Sequence, residues 1–373
     1  MDKIRQQINK IDDEMIKLFM QRMDRVVDVA EYKKKNNLSV YNSARESEII
    51  NRLTTEMDEQ SALYIKLLYN TIFDISRFHQ SVLLNPNNKL SETINTAIKN
   101  TPNLLPAQAA IALQGISGSN SYIACNKLFS RANITYFKGF EGVFSSVQSE
   151  LCKYGILPLE NSIYGSVTEV YDLMKKYNFK IVKSLKLKIE HNLIANPGVK
   201  KSDIKEIISH EQALGQCSEF IKTFGDIKIT SCANTAVAAQ YVAESGRTDI
   251  ACISSAVCEE LYGLKIIESS IENNGNNYTR FIVISKDLEI YPGANKFSLI
   301  VNISHKPGAL YELISKFSAV GVNLTKLESR PIPGKDFEFM FFIEADASVY
   351  SAEVINLLSN LDNITFLGAY SEV

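Results

Sequence analysis

Thr279, Arg280 and Phe281 follow a run rich in Asn and Gly, Asn273-Asn274-Gly275-Asn276-Asn277-Tyr278, and open a β-branched strand that continues through Ile284. One loop thus delivers a hydroxyl, a guanidinium and an aromatic ring in succession. A hydroxyl can donate to a charge that develops during reaction, a guanidinium can hold a carboxylate, and a ring can wall off water. The same triplet also suits an ordinary strand start, because Thr and Phe are good strand formers and a strand-end Arg is commonly solvated. A second polar loop, Glu160-Asn161-Ser162-Ile163-Tyr164-Gly165-Ser166, leaves the apolar stretch Tyr154 to Leu159 and enters a helical pattern from Val167 to Tyr177. It fits a capped turn as well as one wall of a site.

A third group lies near the start of the chain. Arg22 and Lys33 are about three helical turns apart on nearly the same face, where two long cations can bracket a small dianion. Arg5 lies about 100° around the axis and serves a different surface, plausibly a partner's site. Ser76 and Gln80 share a face at i, i+4, and Ser43 with Glu46 forms a capping box. A helical dimerisation module with solvated charges would carry the same residues.

The elements that hold these groups follow from composition and periodicity. The 373 residues suit two or three domains, and a hydrophobic content of 45% with a net charge of −2 describes a soluble globular chain without a nucleic-acid or membrane signature. The charged, amphipathic start and the lack of a long apolar run predict a cytoplasmic protein. Six cysteines without a C-x-x-C pair read as reduced, buried small hydrophobes, and four scattered histidines give no metal-ligand spacing. No cofactor is expected.

Residues 1–88 contain no Gly, and their first Pro is Pro86, so an all-helical module is predicted with helices through Lys33-Lys34-Lys35, from Ser43, and from about Ser61 to Leu84. The first helix, roughly 45 to 50 Å long at 1.5 Å per residue, outreaches a small domain and implies a partner helix. Asn85-Pro86-Asn87-Asn88 closes the module, and residues 89–106 read as a linker that carries room for a short helix. Alternating strands and helices in 107–290 predict a two-lobed α/β domain, periplasmic-binding-protein-like, with a cleft between lobes. The loop Gly115-Ile116-Ser117-Gly118-Ser119-Asn120-Ser121 lacks the Gly-Lys ending and third Gly of nucleotide sites. Residues 295–373 run βαββαβ, from Phe297–Ile303 through Phe337–Ala345 to Ile364–Ala369, as a ferredoxin-like α+β module.

Arg5, Arg22, Lys33, Arg45-Glu46, Ser76 and Gln80 resemble, in order and spacing, the all-helical chorismate mutases. That resemblance implies a pericyclic rearrangement of chorismate to prephenate, catalysed by holding the compact conformer and stabilising charge on the breaking ether oxygen. Arg22 and a partner subunit's Arg5 would hold the carboxylates, Lys33 and Gln80 would donate to the ether oxygen, and Glu46 would accept from the ring hydroxyl, with Arg45 and Ser76 in support. Asn42 stands where the family often has Asp, which implies altered substrate affinity; a dehydratase with an impaired mutase is the corresponding alternative.

Leu157 to Val167 together with Thr279-Arg280-Phe281 resembles the prephenate dehydratases, and His191-Asn192-Leu193, Gln216-Cys217 and Asn234-Thr235-Ala236 fit the same family. Prephenate would lose its ring carboxylate as CO2 and its C4 hydroxyl as water to give phenylpyruvate. By this resemblance Thr279 assists the leaving hydroxyl, Arg280 positions a carboxylate and Phe281 is an apolar wall. Asn161, Ser162, Ser121 and Gln216 line the cleft, and Glu160 supports them. Ser117 and Asn120 depart from the family's Pro and Tyr, which bears on where Ser121 sits. Lys306-Pro307-Gly308-Ala309-Leu310 and Glu328-Ser329-Arg330-Pro331 resemble phenylalanine-sensing ACT domains, with Asn323 added to the expected effector contacts. Expected partners are chorismate, prephenate, L-phenylalanine as inhibitor and a second copy of the chain as homodimer or higher oligomer. A non-catalytic amino-acid sensor on the same scaffold is the other reading.

Overall fold

The computed structural model describes residues 1–84, 89–303, 305, 307–332, 339–361 and 363–373. The expected Asn85–Asn88 boundary, Lys306 of the effector motif, and Phe337 and Glu338 at the start of the expected strand lie outside the described residues. The chain divides into two compact units, residues 1–96 with 300–364, and residues 97–299 with 365–373.

The first unit opens with helices α1 (Asp2–Lys35), α2 (Ser43–Thr54) and α3 (Glu59–Leu84), followed by the start of α4 (Lys89–Asn100). No Gly or Pro interrupts α1 or α3, and the basic residues Lys33, Lys34 and Lys35 in the last turn of α1 suit the negative end of its dipole. α1 and α3 pack where Val26, Ala30 and Phe73 are buried. α2 does not start as expected: Asn42, not Ser43, is its N-cap, and the Arg45 N–H donates to Asn42 Oδ1 at 3.0 Å. Asn and Asp cap about equally well, so Asn42 keeps this helix start without the charge.

The second unit holds β1 (Gln108–Gln114), α5 (Asn120–Leu128), β2 (Arg131–Phe137), α6 (Phe140–Gln148), β3 (Tyr154–Asn161), β4 (Gly165–Ser166), α7 (Thr168–Tyr177) and β5 (Lys180–Lys188) in a first lobe. Its second lobe holds β6 (Asn192–Ala195), β7 (Glu206–Ser209), α8 (Glu211–Gln216), α9 (Ser218–Lys222), β8 (Lys228–Ser231), α10 (Thr235–Ser245), β9 (Ile250–Ser254), α11 (Val257–Tyr262) and β10 (Lys265–Glu268). β11 (Tyr278–Ser285) then returns to the first lobe, between β3 and β5 in the order β2-β1-β3-β11-β5, with β4 beside β3. The second lobe is a five-stranded sheet, β10-β6-β9-β7-β8. Its strands are apolar on both faces: Leu193, Ile207 and Ile253 serve one core, and Ile194, Ile208 and Cys252 the other. The helical stretch after β7 is two short helices, α8 and α9, broken at Cys217. All six thiols are unpaired and five are buried; burial pushes Cys125 and Cys217 up to about 12, as inert core residues.

The chain closes with β12 (Lys296–Asn302), α12 (Ala309–Ala319), β13 (Asn323–Pro331), β14 (Phe339–Asp346), α13 (Ala352–Ser359) and β15 (Ile364–Tyr370), in a sheet ordered β13-β14-β12-β15. Gly368, with φ of 137°, passes so close to β5 that a Cβ there would sit 2.3 Å from the Ile181 carbonyl oxygen. No helix among the described residues is long and apolar enough to cross a membrane.

Candidate active sites

Between the lobes of the second unit lies a cavity of about 470 Å³ whose lining includes Ser121, Asn161, Gln216, Asn277, Thr279 and Phe281. Strand alternation decides which residues of β11 reach it. Thr279 and Phe281 face the cavity, so Arg280 between them points to the other side of the sheet. Opposite them on β3, Asn161 pairs with Thr279 and Pro158 with Phe281, while Glu160 pairs with Arg280, and a register shift separates Arg280 from Phe281.

Arg280 is 7% exposed, and its Nε lies 2.8 Å from Glu160 Oε1. Neither residue lines the cavity, so the carboxylate-holding role expected of Arg280 and the support expected of Glu160 within the cleft do not fit this geometry. Ser162 is also off the cavity. Its Oγ donates to the Asn276 carbonyl at 2.9 Å and accepts from the Tyr278 N–H at 2.9 Å, which makes it a clasp between the two loops.

The cavity's hydrogen bonds form one directed chain. Asn161 Oδ1 accepts from the N–H groups of Ile163 and Tyr164, which fixes its amide orientation. Its Nδ2 then donates to Thr279 Oγ1 at 3.0 Å and to Asn277 Oδ1 at 3.0 Å. With its oxygen already accepting, Thr279 keeps its hydroxyl proton for a ligand. Asn277 Nδ2 donates to Gln216 Oε1 at 3.0 Å, and His191 Nε2 lies 2.6 Å from the same oxygen. Because that oxygen only accepts, His191 carries its proton on Nε2. Burial lowers the His191 pKa, against the opposing pull of Gln216 and Glu272, so the imidazole is held neutral.

Among the described residues, the cavity lining carries no Asp, Glu, Lys or Arg. Its positive character comes from helix starts. Ser119 and Asn234 cap α5 and α10, each accepting an N–H from the first turn, and Val167 begins α7. All three lie in the lining, so three helix N-termini border one space, where the positive ends of their dipoles favour negative charge. Such a cavity suits a compact anion without burying a cation.

The sequence reading had given Asn277 no role, although it is fully buried and joins the lobes through Asn161 and Gln216. His191 was quoted only within a motif, and His210, Gln212 and Tyr164 also line the cavity. The loop containing Ser117 and Ser121 is pinned across the lobes: the Tyr262 hydroxyl donates to the Ser117 carbonyl at 2.7 Å. A Cβ on Gly118, whose φ is 84°, would meet Cys258 Sγ at 2.8 Å.

In the helical module Arg22 Nη1 donates to Ser76 Oγ at 2.5 Å, and Gln80 Nε2 donates to the Ser76 carbonyl at 3.1 Å. Ser76 and Gln80 are buried, and Gln80 Oε1 has no partner among the described residues. Lys33 donates to the Val40 carbonyl at 2.5 Å; burial lowers its pKa while Glu46 opposes the shift. Glu46 is held by Arg77, whose Nη1 donates to both carboxylate oxygens at 2.6 Å; Arg77 also pairs with Asp74. Arg45 is turned toward Glu48 at 2.7 Å and is largely exposed. Arg5, roughly 25 Å along α1 from Arg22 at 1.5 Å per residue, is not brought to them. One chain therefore joins Arg22, Ser76 and Gln80 through hydrogen bonds, sets Lys33 within the electrostatic reach of Glu46, and leaves Arg5 apart.

In the C-terminal module Gly308 is the N-cap of α12, and Ala309 and Leu310 form its first turn. The register of β13 on β14, with its shift between Leu324 and Lys326, puts Asn323, Glu328 and Arg330 on one face of the sheet and Ser329 on the other.

Comparison with known proteins agrees with this architecture. The prephenate dehydratase family model matches residues 111–289, and the chorismate mutase type II model matches residues 4–81. The arogenate dehydratase/prephenate dehydratase 1 of Arabidopsis thaliana is 34% identical over 71% of this chain and 72% of its own length. The bifunctional chorismate mutase/prephenate dehydratase of Escherichia coli K12 is 29% identical over 98% of this chain and 95% of its own. Among solved structures, a prephenate dehydratase from Arthrobacter aurescens in complex with L-Phe superposes with a TM-score of 0.64 at 27% identity, covering 70% of this chain and 89% of that one. The chain belongs to the prephenate dehydratase family and carries a chorismate mutase domain ahead of its dehydratase domain, the arrangement of the bifunctional chorismate mutase/prephenate dehydratases.

Proposed function

We propose that the chain converts chorismate to prephenate in its helical module and prephenate to phenylpyruvate in the interlobe cavity, and that L-phenylalanine bound to its C-terminal module restrains both steps. The observation that carries the dehydratase reading is the Thr279 hydroxyl, oriented by Asn161 as a donor into an uncharged cavity. Prephenate brings two carboxylates. The N-termini of α5, α7 and α10 offset that charge, and the low polarity around Phe281 and Pro158 favours the carboxylate that departs as CO2. As the C4–O bond breaks, negative charge builds on the leaving hydroxyl, where the Thr279 O–H donates a hydrogen bond. The pair of electrons released with CO2 completes the aromatic ring, and the departing hydroxide leaves as water after taking a proton from solvent. The lining offers no acidic side chain to receive an ammonium group, which favours prephenate over its aminated analogue arogenate.

The mutase reading places chorismate against Arg22, Lys33, Ser76 and Gln80, with Arg5 contributed by a second copy. Support for that copy comes from Ile4, Ile8, Ile11, Met15 and Leu18, a helical stripe along α1 whose members are 51% to 64% exposed. Domain limits at 1–88, 107–290 and 295–373 follow, with the last a ferredoxin-like ACT domain whose effector contacts centre on Gly308, Ala309, Leu310, Asn323, Glu328, Ser329 and Arg330.

The test feeds purified protein chorismate and prephenate separately and follows phenylpyruvate during an L-phenylalanine titration. Product from both substrates, falling as phenylalanine rises, is expected. Product from neither would leave the sensor reading; product from prephenate alone would assign a silent mutase.

A further inference from the structure

The face of β11 turned away from the cavity carries an ion-pair cluster that the dehydratase reading has not used. Arg280 there is held on one side by Glu160, at 2.8 Å, and faced on the other by Glu372, whose Oε2 lies 3.9 Å from Nη1. Glu372 belongs to residues 371–373, which continue from β15 and line the outer edge of β5. The Ser184 N–H donates to the Ser371 carbonyl at 3.1 Å, Val373 N–H to the Ser184 carbonyl at 3.0 Å, and Lys186 N–H to the Val373 carbonyl at 2.8 Å. Glu372 pairs with Ser184 in a parallel bridge, and the Ser184 hydroxyl donates to its Oε2 at 3.1 Å. Lys296 Nζ lies 3.9 Å from its other oxygen.

Register explains why this cluster matters to the cavity. Arg280 pairs with Glu160 one step from the pair Thr279 and Asn161, and the ladder is irregular immediately after it, between Arg280 and Phe281. Backbone pairing is weakest at such a shift. The side chains behind the sheet therefore add to the hold that keeps Thr279 opposite Asn161.

We propose that Glu372 is a positioning residue of the dehydratase cleft, acting through Arg280 and Glu160 to fix the Thr279 hydroxyl against Asn161. The inference rests on the dehydratase reading above. It also gives β15, a strand of the C-terminal sheet, a physical hold on the reactive strand.

The experiment uses the full chain with Glu372→Gln, Glu372→Asp and Ser184→Ala, and measures kcat and KM for prephenate with the mutase rate as an internal control. Glu372→Gln is expected to lower dehydratase kcat about tenfold, with KM within about twofold and mutase unchanged. Glu372→Asp should recover most of the loss, and Ser184→Ala should lower kcat about twofold. In an Arg280→Gln background, Glu372→Gln should cost nothing further, since the two act as a unit.

If Glu372→Gln does not fold, Ser184→Ala still decides the matter, since wild-type kinetics in it would overturn the proposal. Unchanged kinetics in Glu372→Gln, additive losses with Arg280→Gln, or a loss shared equally by the mutase would also overturn it. A wild-type protein without dehydratase activity would overturn the functional reading and this inference together; an active wild type with an unaffected Glu372→Gln overturns this inference alone.

Discussion

The two candidate sites handle anionic ligands by opposite means. The proposed mutase site offers such a ligand side-chain cations, Arg22 and Lys33, both with pKa values lowered by burial. The interlobe cavity offers neutral amides, hydroxyls and helix starts. The first site borrows from long exposed helices and gathers its groups incompletely within one chain. The second is complete within one unit, because strands and helix ends converge there by topology. The contrast teaches that a helix bundle, which offers only side chains along its length, must recruit cations and partners. An α/β cleft has backbone donors already aimed, the general advantage of ligand sites at strand and helix ends.

Four outcomes would break or sharpen that contrast. The largest expected effect is on the cleft: Thr279→Val should lower prephenate turnover about 10² to 10³-fold while leaving mutase kinetics intact, as removal of one preorganised donor does. A dehydratase that survives this change has the hydrogen-bond donor to its leaving hydroxyl elsewhere. Lys33→Ala should lower chorismate turnover about 10²-fold with the dehydratase untouched; a shared loss would mean that the two sites are not independent. Asn277→Ala removes the bridge between Asn161 and Gln216, leaving both amides partly unsatisfied, and should lower dehydratase kcat/KM about 10-fold. Full activity in that variant would show that the lobes are aligned by other contacts.

The smallest effect is on stability. Burial holds His191 below the 6.5 of a free imidazole, so the unfolded chain takes up this proton first as pH falls. His191 stability is complete above that value and is lost as pH drops below it. Thermal melts between pH 7.5 and pH 5 should therefore show a falling midpoint whose slope is reduced in His191→Gln.

Much of this organisation is legible in the residues. The helical module declares itself because no Gly or Pro lies between Met1 and Leu84, and the α/β region because short apolar runs alternate with helical spacing. The cleft triplet is visible as a triplet, but strand alternation divides it: if Thr279 faces a ligand, Arg280 faces away. Asn277 could not be told apart from Asn273, Asn274 and Asn276 by type, since only folding buries it. Ser43 and Asn42 are both competent caps, so sequence alone placed the helix start one residue late and gave Glu46 a capping role; in the fold Glu46 is paired with Arg77. Long-range pairs of this kind, 31 residues apart, leave no local signal.

The cover that residues 371–373 place on β5 has a further consequence, for solubility. An outermost strand with bare N–H and C=O groups is a template on which other chains add strands. β5 lies directly beside the reactive strand β11, and its Ser184 and Lys186 amides are satisfied by this short segment. A dehydratase fragment trimmed before residue 365 would expose that edge. Its expected defect is sheet-to-sheet aggregation on storage, before any change in regulation becomes measurable.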